Sequence, residues 1–246
     1  MDRCRRFSFV LATAVCALAI AFGTAQGATA VSKADIDNAL AGVAAYTTGQ
    51  ARVPLLAIEQ ALRDTAGNAE MRRHIERGLV ALLEGGAGHD AKLFACQQLW
   101  AIGSDASVPV LTKMLVDDTA SHMACYALAR HPSPSVAPAL RRALATAKGK
   151  ALLGVIDLLG ERRDGVSVGA LGKLAAGGDA AVAKAAVVAL GKIGSEGAAE
   201  VLDGLRNKGG ALRAEVAHAS LQCAQRLVVA HSTRRAADLY RKLFAA

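Results

Sequence analysis

From Asp90 to Arg206 the apolar positions form pairs of short helical stripes that return with a nearly fixed period. Leu99, Leu128, Leu159, Leu190 and Leu221 stand in matching contexts, at spacings of 29, 31, 31 and 31 residues. A second series, Leu111, Leu140, Leu171 and Leu202, runs at 29, 31 and 31. Two independent series with one period mark an internal repeat of about thirty residues. The clearest unit is "AAVAKAAVVALGKIGSEGAAEVLDGL". Asp179 is placed to cap a helix that begins at Ala180. Val182, Ala186, Val187, Leu190 and Ile193 then share one helix face. Gly194-Ser195-Glu196-Gly197 interrupts that helix, and a second short one is expected from Ala198 to Leu205. A hairpin of two helices cannot enclose its own apolar face, but stacking like units buries it. The pattern therefore predicts an all-α fold of stacked antiparallel helix pairs.

The flanks follow the same plan less regularly. "VPLLAIEQALRD" from Val53 echoes "VPVLTKMLVDD" from Val108, so an irregular earlier helix pair is expected from Ala34 to Asp64. Ala69 to Glu84 reads as one longer helix, ended by Gly85-Gly86-Ala87-Gly88. At the other end, Ala236, Leu239, Tyr240, Leu243 and Phe244 share one face, with Arg234, Arg235, Asp238, Arg241 and Lys242 opposite. That is the pattern of a terminal capping helix, apolar toward the array and charged toward water. The expected organisation is thus residues 31–89 for irregular helices, 90–210 for four regular repeats and 211–246 for a last repeat with its cap.

The first thirty residues are of another kind. Arg3, Arg5 and Arg6 precede an uncharged apolar run from Phe7 to Phe22, and Ala28-Thr29-Ala30 has the form of a signal-peptidase site. Residues 1–30 are expected to be a signal peptide cleaved after Ala30, so that the mature chain begins at Val31 and is periplasmic or secreted. The apolar run is a little short for a spanning helix, and no membrane span is expected after cleavage. Loss of Asp2 and three arginines takes the net charge from +8 to +6.

Composition then narrows the chemistry. Aromatic residues make up only 4%, which disfavours a β-sandwich or barrel. The mature chain keeps Cys96, Cys125 and Cys223, too scattered for a disulfide framework. Cys96 and Cys125 occupy equivalent positions on neighbouring first helices. Packed helix axes lie about 8–10 Å apart, whereas a disulfide needs Cα atoms within roughly 4.4–6.8 Å. Both are therefore expected as reduced, inaccessible core thiols. The six histidines are dispersed, with His122 and Cys125 the nearest approach to ligand spacing. No C-x-x-C or C-x-x-C-H is present, and no P-loop, G-x-S-x-G or dinucleotide-binding glycine pattern is read after a strand. No cofactor, metal or catalytic residue is assigned.

The segments "ALGKIGSEGAAEVLDGL", "QLWAIGSDASVPVLTKML" and "DLLGERRDGVSVGALGKL" resemble HEAT-like repeats, of the short kind also found in phycobilin lyases. "SHMACYALARHPSPSVAPALRRALATAKGKALLGVIDLLGERRDG" further resembles exported bacterial HEAT-repeat proteins. The resemblance implies an α-solenoid, an armadillo-like superhelix with a binding surface and no particular chemistry. HEAT-like hydroxylases bind iron through His-Glu dipeptides, and no histidine here precedes a glutamate.

If the second helices line a concave face, as the resemblance implies, one constellation stands out. Two residues after each second-series leucine come Lys113, Arg142, Lys173 and Gly204, with Arg141 beside Arg142. The three cations would form a ladder with rungs about 10 Å apart, close to the Debye length at physiological salt. It suits an acidic protein surface or an anionic polymer. Export argues against nucleic acid. The turn "GERRDG" adds Arg162 and Arg163 as candidate contacts beside a local ion-paired turn. The function expected is a non-enzymatic, exported protein-binding scaffold. A catalytic or accessory lyase or hydrolase subunit, or a structural part of an envelope assembly, are the alternatives.

Overall fold

A computed structural model describes residues 31–117, 119–208 and 210–244, and every regular element among them is helical. The predicted signal peptide lies outside the described residues. Three helices come first: α1 (Lys33–Ala44), α2 (Val53–Asp64) and α3 (Ala69–Glu84). Five pairs follow: α4 (His89–Ile102) with α5 (Val108–Met114), α6 (Ser121–Ala129) with α7 (Val136–Thr146), and α8 (Gly149–Glu161) with α9 (Val168–Ala175). The last two are α10 (Ala180–Ile193) with α11 (Glu196–Lys208), and α12 (Arg213–Val229) with α13 (Thr233–Phe244). The fold is all-α.

Local chemistry sets the ends of these helices. Ser32 and Asp35 form a reciprocal capping box on α1. The Asn68 side chain accepts from the Glu70 and Met71 amides at the start of α3, and Asp179 does the same for Ala181 and Val182 on α10. Pro54 and Pro109 lie in the first turns of α2 and α5, where a missing N–H costs nothing. Gly194 closes α10 at φ +62°, in the left-handed region that side chains avoid.

The paired helices sort into two layers. In the first, α4 packs on α6, α6 on α8, α8 on α10 and α10 on α12. In the second, α5 packs on α7, α9 on α11 and α11 on α13. Both leucine series point into the core between them. Leu99, Leu128, Leu159 and Leu190 are wholly buried, as are Leu111, Leu140, Leu171 and Leu202. Close approach in the first layer depends on glycine: a Cβ at Gly160 would lie 2.9 Å from the Ala189 Cα, and one at Gly191 2.9 Å from the Ala219 Cα. Backbones that close leave no room for a larger side chain without displacement.

The repeat slips by one residue at α12, which corrects the expected place of Leu221. That side chain is only half-buried, and Ser220 takes the enclosed position instead. The Gly191–Ala219 contact is the physical reason. It sets α12 one residue short of the register that the Gly160–Ala189 contact sets for α10.

At the amino end, α1 lies along α3. Lys33 pairs with Glu70 at 2.5 Å, Asp37 meets His74 at 2.7 Å, and Leu40 fills the space a side chain at Gly78 would need. At the other end, α13 buries Ala236 and Leu239 as a cap should. Two details of the expected cap change. Phe244 is 82% exposed, beyond the reach of the apolar face. Arg235 and Lys242 turn inward rather than to water because Asp203 of α11 stands beneath them, and Asp238 pairs with both cations. Lys242 Nζ lies 2.7 Å, and Arg235 Nη2 3.7 Å, from Asp203 Oδ2.

Candidate functional site

The buried leucines of the second layer hold the cationic ladder in register. Lys113, Arg142 and Lys173 each stand two positions past one of them, on α5, α7 and α9, and all three are exposed. No acidic side chain among the described residues pairs with any of the three. Two first-layer lysines are paired by contrast: Lys184 with Glu215 at 2.9 Å, and Lys192 with Asp157 at 2.5 Å and Glu161 at 2.7 Å. The ladder ends at Gly204 on α11, beside Asp203, whose charge the cap already meets.

Lys113 and Arg142 share a groove of about 570 Å³ between α5 and α7, floored by Ala151 and Val155 of α8. Lys173 stands beyond it. A second groove of about 600 Å³ lies on the other side of α5, between Leu83 and Ala120, with Lys92 and Lys113 on its border. Pro109, Lys113 and Val116 border both grooves, so the exposed ridge of α5 separates them.

Two of the other candidate arginines, Arg141 and Arg162, face inward. Arg141 donates to Asp164 at 2.6 Å, and the carboxylate side chain is almost enclosed. The Arg162 guanidinium reaches back to the end of α6, donating to the carbonyls of Leu128 at 2.9 Å, His131 at 3.1 Å and Ser133 at 3.4 Å. It thus meets carbonyls that the helix leaves without partners. Glu161 goes to Lys192. The "GERRDG" turn is therefore a junction that ties neighbouring units together, rather than a self-contained ion-paired loop. Of these three arginines Arg163 is the exposed one, at φ +53°.

The three cysteines among the described residues are free, and two of them are fully enclosed. Burial pushes the thiols of Cys96 to about 12 and of Cys223 to about 11. Cys125 departs from the expected enclosure. It is half-buried against Gly154, which has no side chain to cover it, and burial followed by the Asp157 carboxylate raises its thiol to about 11. With so little thiolate at pH 8, Cys125 should react with a bulky thiol reagent roughly 100-fold more slowly than an unfolded cysteine. Cys96 and Cys223 should react only on unfolding. Mass-spectrometric labelling without denaturant checks the order, and equal rates at Cys96 and Cys125 would contradict it. His122 stacks on His89 with ring centroids 5.9 Å apart, while Cys125 faces α8, so that pair does not converge on a metal.

One polar cluster escaped the sequence reading. Glu76 of α3 is buried and accepts from the Ser104 amide at 2.6 Å and the Ser107 hydroxyl at 2.8 Å. Ser107 Oγ lies 3.0 Å from His131 Nε2, and His131 Nδ1 accepts from the Ser133 amide at 3.3 Å. These are the residue types of a hydrolase triad, but the hydrogen bonds run the wrong way. With Nδ1 an acceptor, Nε2 carries the proton and donates to Ser107, so it cannot take a proton from that hydroxyl. Burial also holds the His131 imidazole below its ordinary value. Ser107 is wholly enclosed. The cluster braces turns.

Gly165-Val166-Ser167-Val168-Gly169 does have the G-x-S-x-G spacing of a nucleophile elbow, which corrects its exclusion from the sequence, although no strand precedes it among the described residues. An elbow presents an exposed serine on a strained strand-to-helix turn. Ser167 instead is 2% exposed, has ordinary helical backbone angles, and donates its hydroxyl to Asp164.

Among the described residues no group of three or more His, Cys, Asp or Glu side chains is placed to hold a metal, and no helix is long and apolar enough to cross a membrane. No family model matches the chain, and no curated protein matches it.

Proposed function

We propose that this protein is a non-enzymatic binding scaffold, an exported α-solenoid of HEAT-like repeats whose second-layer face holds an acidic protein partner. One observation carries the reading. Three exposed cations without ionic partners among the described residues stand at one register on successive helices, each fixed by a buried leucine. Single solvated charges are ordinary, but a register repeated on α5, α7 and α9 is a surface that meets negative charge at several points. The bracing geometry of the Ser107 cluster supports a scaffold over a hydrolase. Residues 1–30 supply the export signal in this reading.

The test is charge reversal. Lys113→Glu, Arg142→Glu and Lys173→Glu together should weaken capture of an acidic partner from an envelope extract on the order of 100-fold at low salt. Exposed substitutions away from caps and core shift stability by only about 0.5 kcal/mol each, so helicity should be retained. Arg73→Glu, on the exposed side of α3, is the control. Lys92 is unsuitable because it borders the same ridge as Lys113. Undiminished capture by the triple variant would refute the proposal.

A further inference from the structure

We propose that the groove between α5 and α7 takes a bulky aliphatic side chain from an acidic segment of the partner, with carboxylates on either side met by Lys113 and Arg142. The proposal rests on the basic-face reading and adds an apolar anchor to it.

The groove is wider than the matching space farther along the layer. Between α9 and α11 a Cβ at Gly172 would lie 3.0 Å from Val201 Cγ1, and the cavity bordered by Ala175 and Leu205 is only about 230 Å³. Between α5 and α7 the walls are Val108, Pro109, Ala139 and Ala143, and no side chain among the described residues fills the space they leave. Its lining is mostly apolar and its charged rim is Lys113 and Arg142. The carboxylate of Asp105, the one acid bordering it, accepts from the Ser133 hydroxyl. Such a site favours an apolar group carried between negative ones.

Charge complementarity also selects the kind of occupant. The cations continue to Lys173 on α9, whereas across the α5 ridge Glu84 and Asp117 stand against Lys92 and Lys113, so the excess positive charge lies on the α5–α9 side. Val116, 70% exposed, extends the apolar surface over that ridge. A single anionic head group with one tail would engage one end of this array. A polypeptide with several carboxylates and an interleaved aliphatic residue engages all of it.

The experiment compares two probes by fluorescence anisotropy on the intact protein: a short labelled peptide of Glu and Ser with one central Leu, and the same peptide with Ser in place of Leu. Burial of the leucine should make the first bind roughly 10- to 100-fold more tightly. Filling the groove by Ala143→Trp, or from its far end by Ala147→Phe, should remove that advantage and leave binding of the second peptide unchanged. Lys113→Glu with Arg142→Glu should weaken both peptides. Equal affinities for the two peptides would overturn the anchor while leaving the basic face standing. Failure of both to bind at low salt would overturn the anchor and the basic face together. Persistence of the leucine advantage in both filled variants would show that the anchor lies elsewhere.

Discussion

Replacing Glu76 by alanine is expected to cost about 4 kcal/mol of folding stability, read as a lowered urea midpoint at unchanged slope. Glu76 is 3% exposed, yet it accepts from the Ser104 amide and the Ser107 hydroxyl in the turn between α4 and α5. Truncation leaves both donors without that acceptor, at ~1–3 kcal/mol for each, and opens a cavity between α3 and the turn. The loss reaches further than one contact, because Ser107 also receives the His131 Nε2–H from the next unit. Glu76→Gln keeps an oxygen of similar placement and should cost less than half as much. A midpoint for Glu76→Ala within experimental error of the wild type would mean that the buried cluster contributes nothing to stability.

Glu76 also shows what the sequence displays and what it conceals. It stands in "MRRHIERG", where a glutamate among arginines reads as an ordinary solvated helix surface. The signal that could have found it is its place on the stripe. Met71, Ile75, Leu79, Leu82 and Leu83 bury one face of α3, and Glu76 precedes Leu83 by seven residues, on that same face. A charged group there must find partners, and the partners lie 28 and 31 residues onward.

Period-based features were legible for a related reason: they are local. The bounds of α3, the Asp179 cap and eight wholly buried leucines follow from spacing and capping chemistry within a few residues. Contacts between units were not. Arg141 looks like a free charge on α7 and Arg162 like part of a locally ion-paired turn, but their partners come from other units, up to 34 residues away. The slip at α12 likewise depends on how closely two backbones approach at Gly191, which a leucine count cannot register. The basic ladder was legible as a register, since a core leucine fixes the residue two places on. The groove beneath it was not, because it is a volume left unfilled by α5, α7 and α8 jointly.

Deletion of Thr233 to Ala246 should lower the melting temperature by about 10 °C or more and reduce solubility. The helix buries Ala236 and Leu239 against its neighbours, with Tyr240 and Leu243 half-buried beside them. Removing it uncovers apolar surface on α11 and α12, including the ground around Cys223, Ala224 and Leu227. At ~25 cal/mol per Å², a few hundred Å² of newly exposed apolar surface amounts to several kcal/mol. A change of 1 kcal/mol moves the melting point of a chain of this size by roughly 2–4 °C. Electrostatics add to the loss. Asp203 is 13% exposed and, with α13 gone, keeps only the distant Arg206 contact at 3.9 Å in place of Lys242 at 2.7 Å. Two variants separate the contributions. Leu239→Ala removes apolar contact and should cost ~2–5 kcal/mol. Lys242→Met, which keeps the stem and drops the charge, should cost far less than Leu239→Ala, since its partly exposed ammonium is screened by solvent. In a stacked array the terminal helix shields every unit behind it, so the deletion should also loosen α12. Hydrogen exchange would show this as lost protection from Arg213 to Val229 while α4 to α8 stay protected. An unchanged melting point with intact α12 protection would mean that α13 packs on the array without capping it.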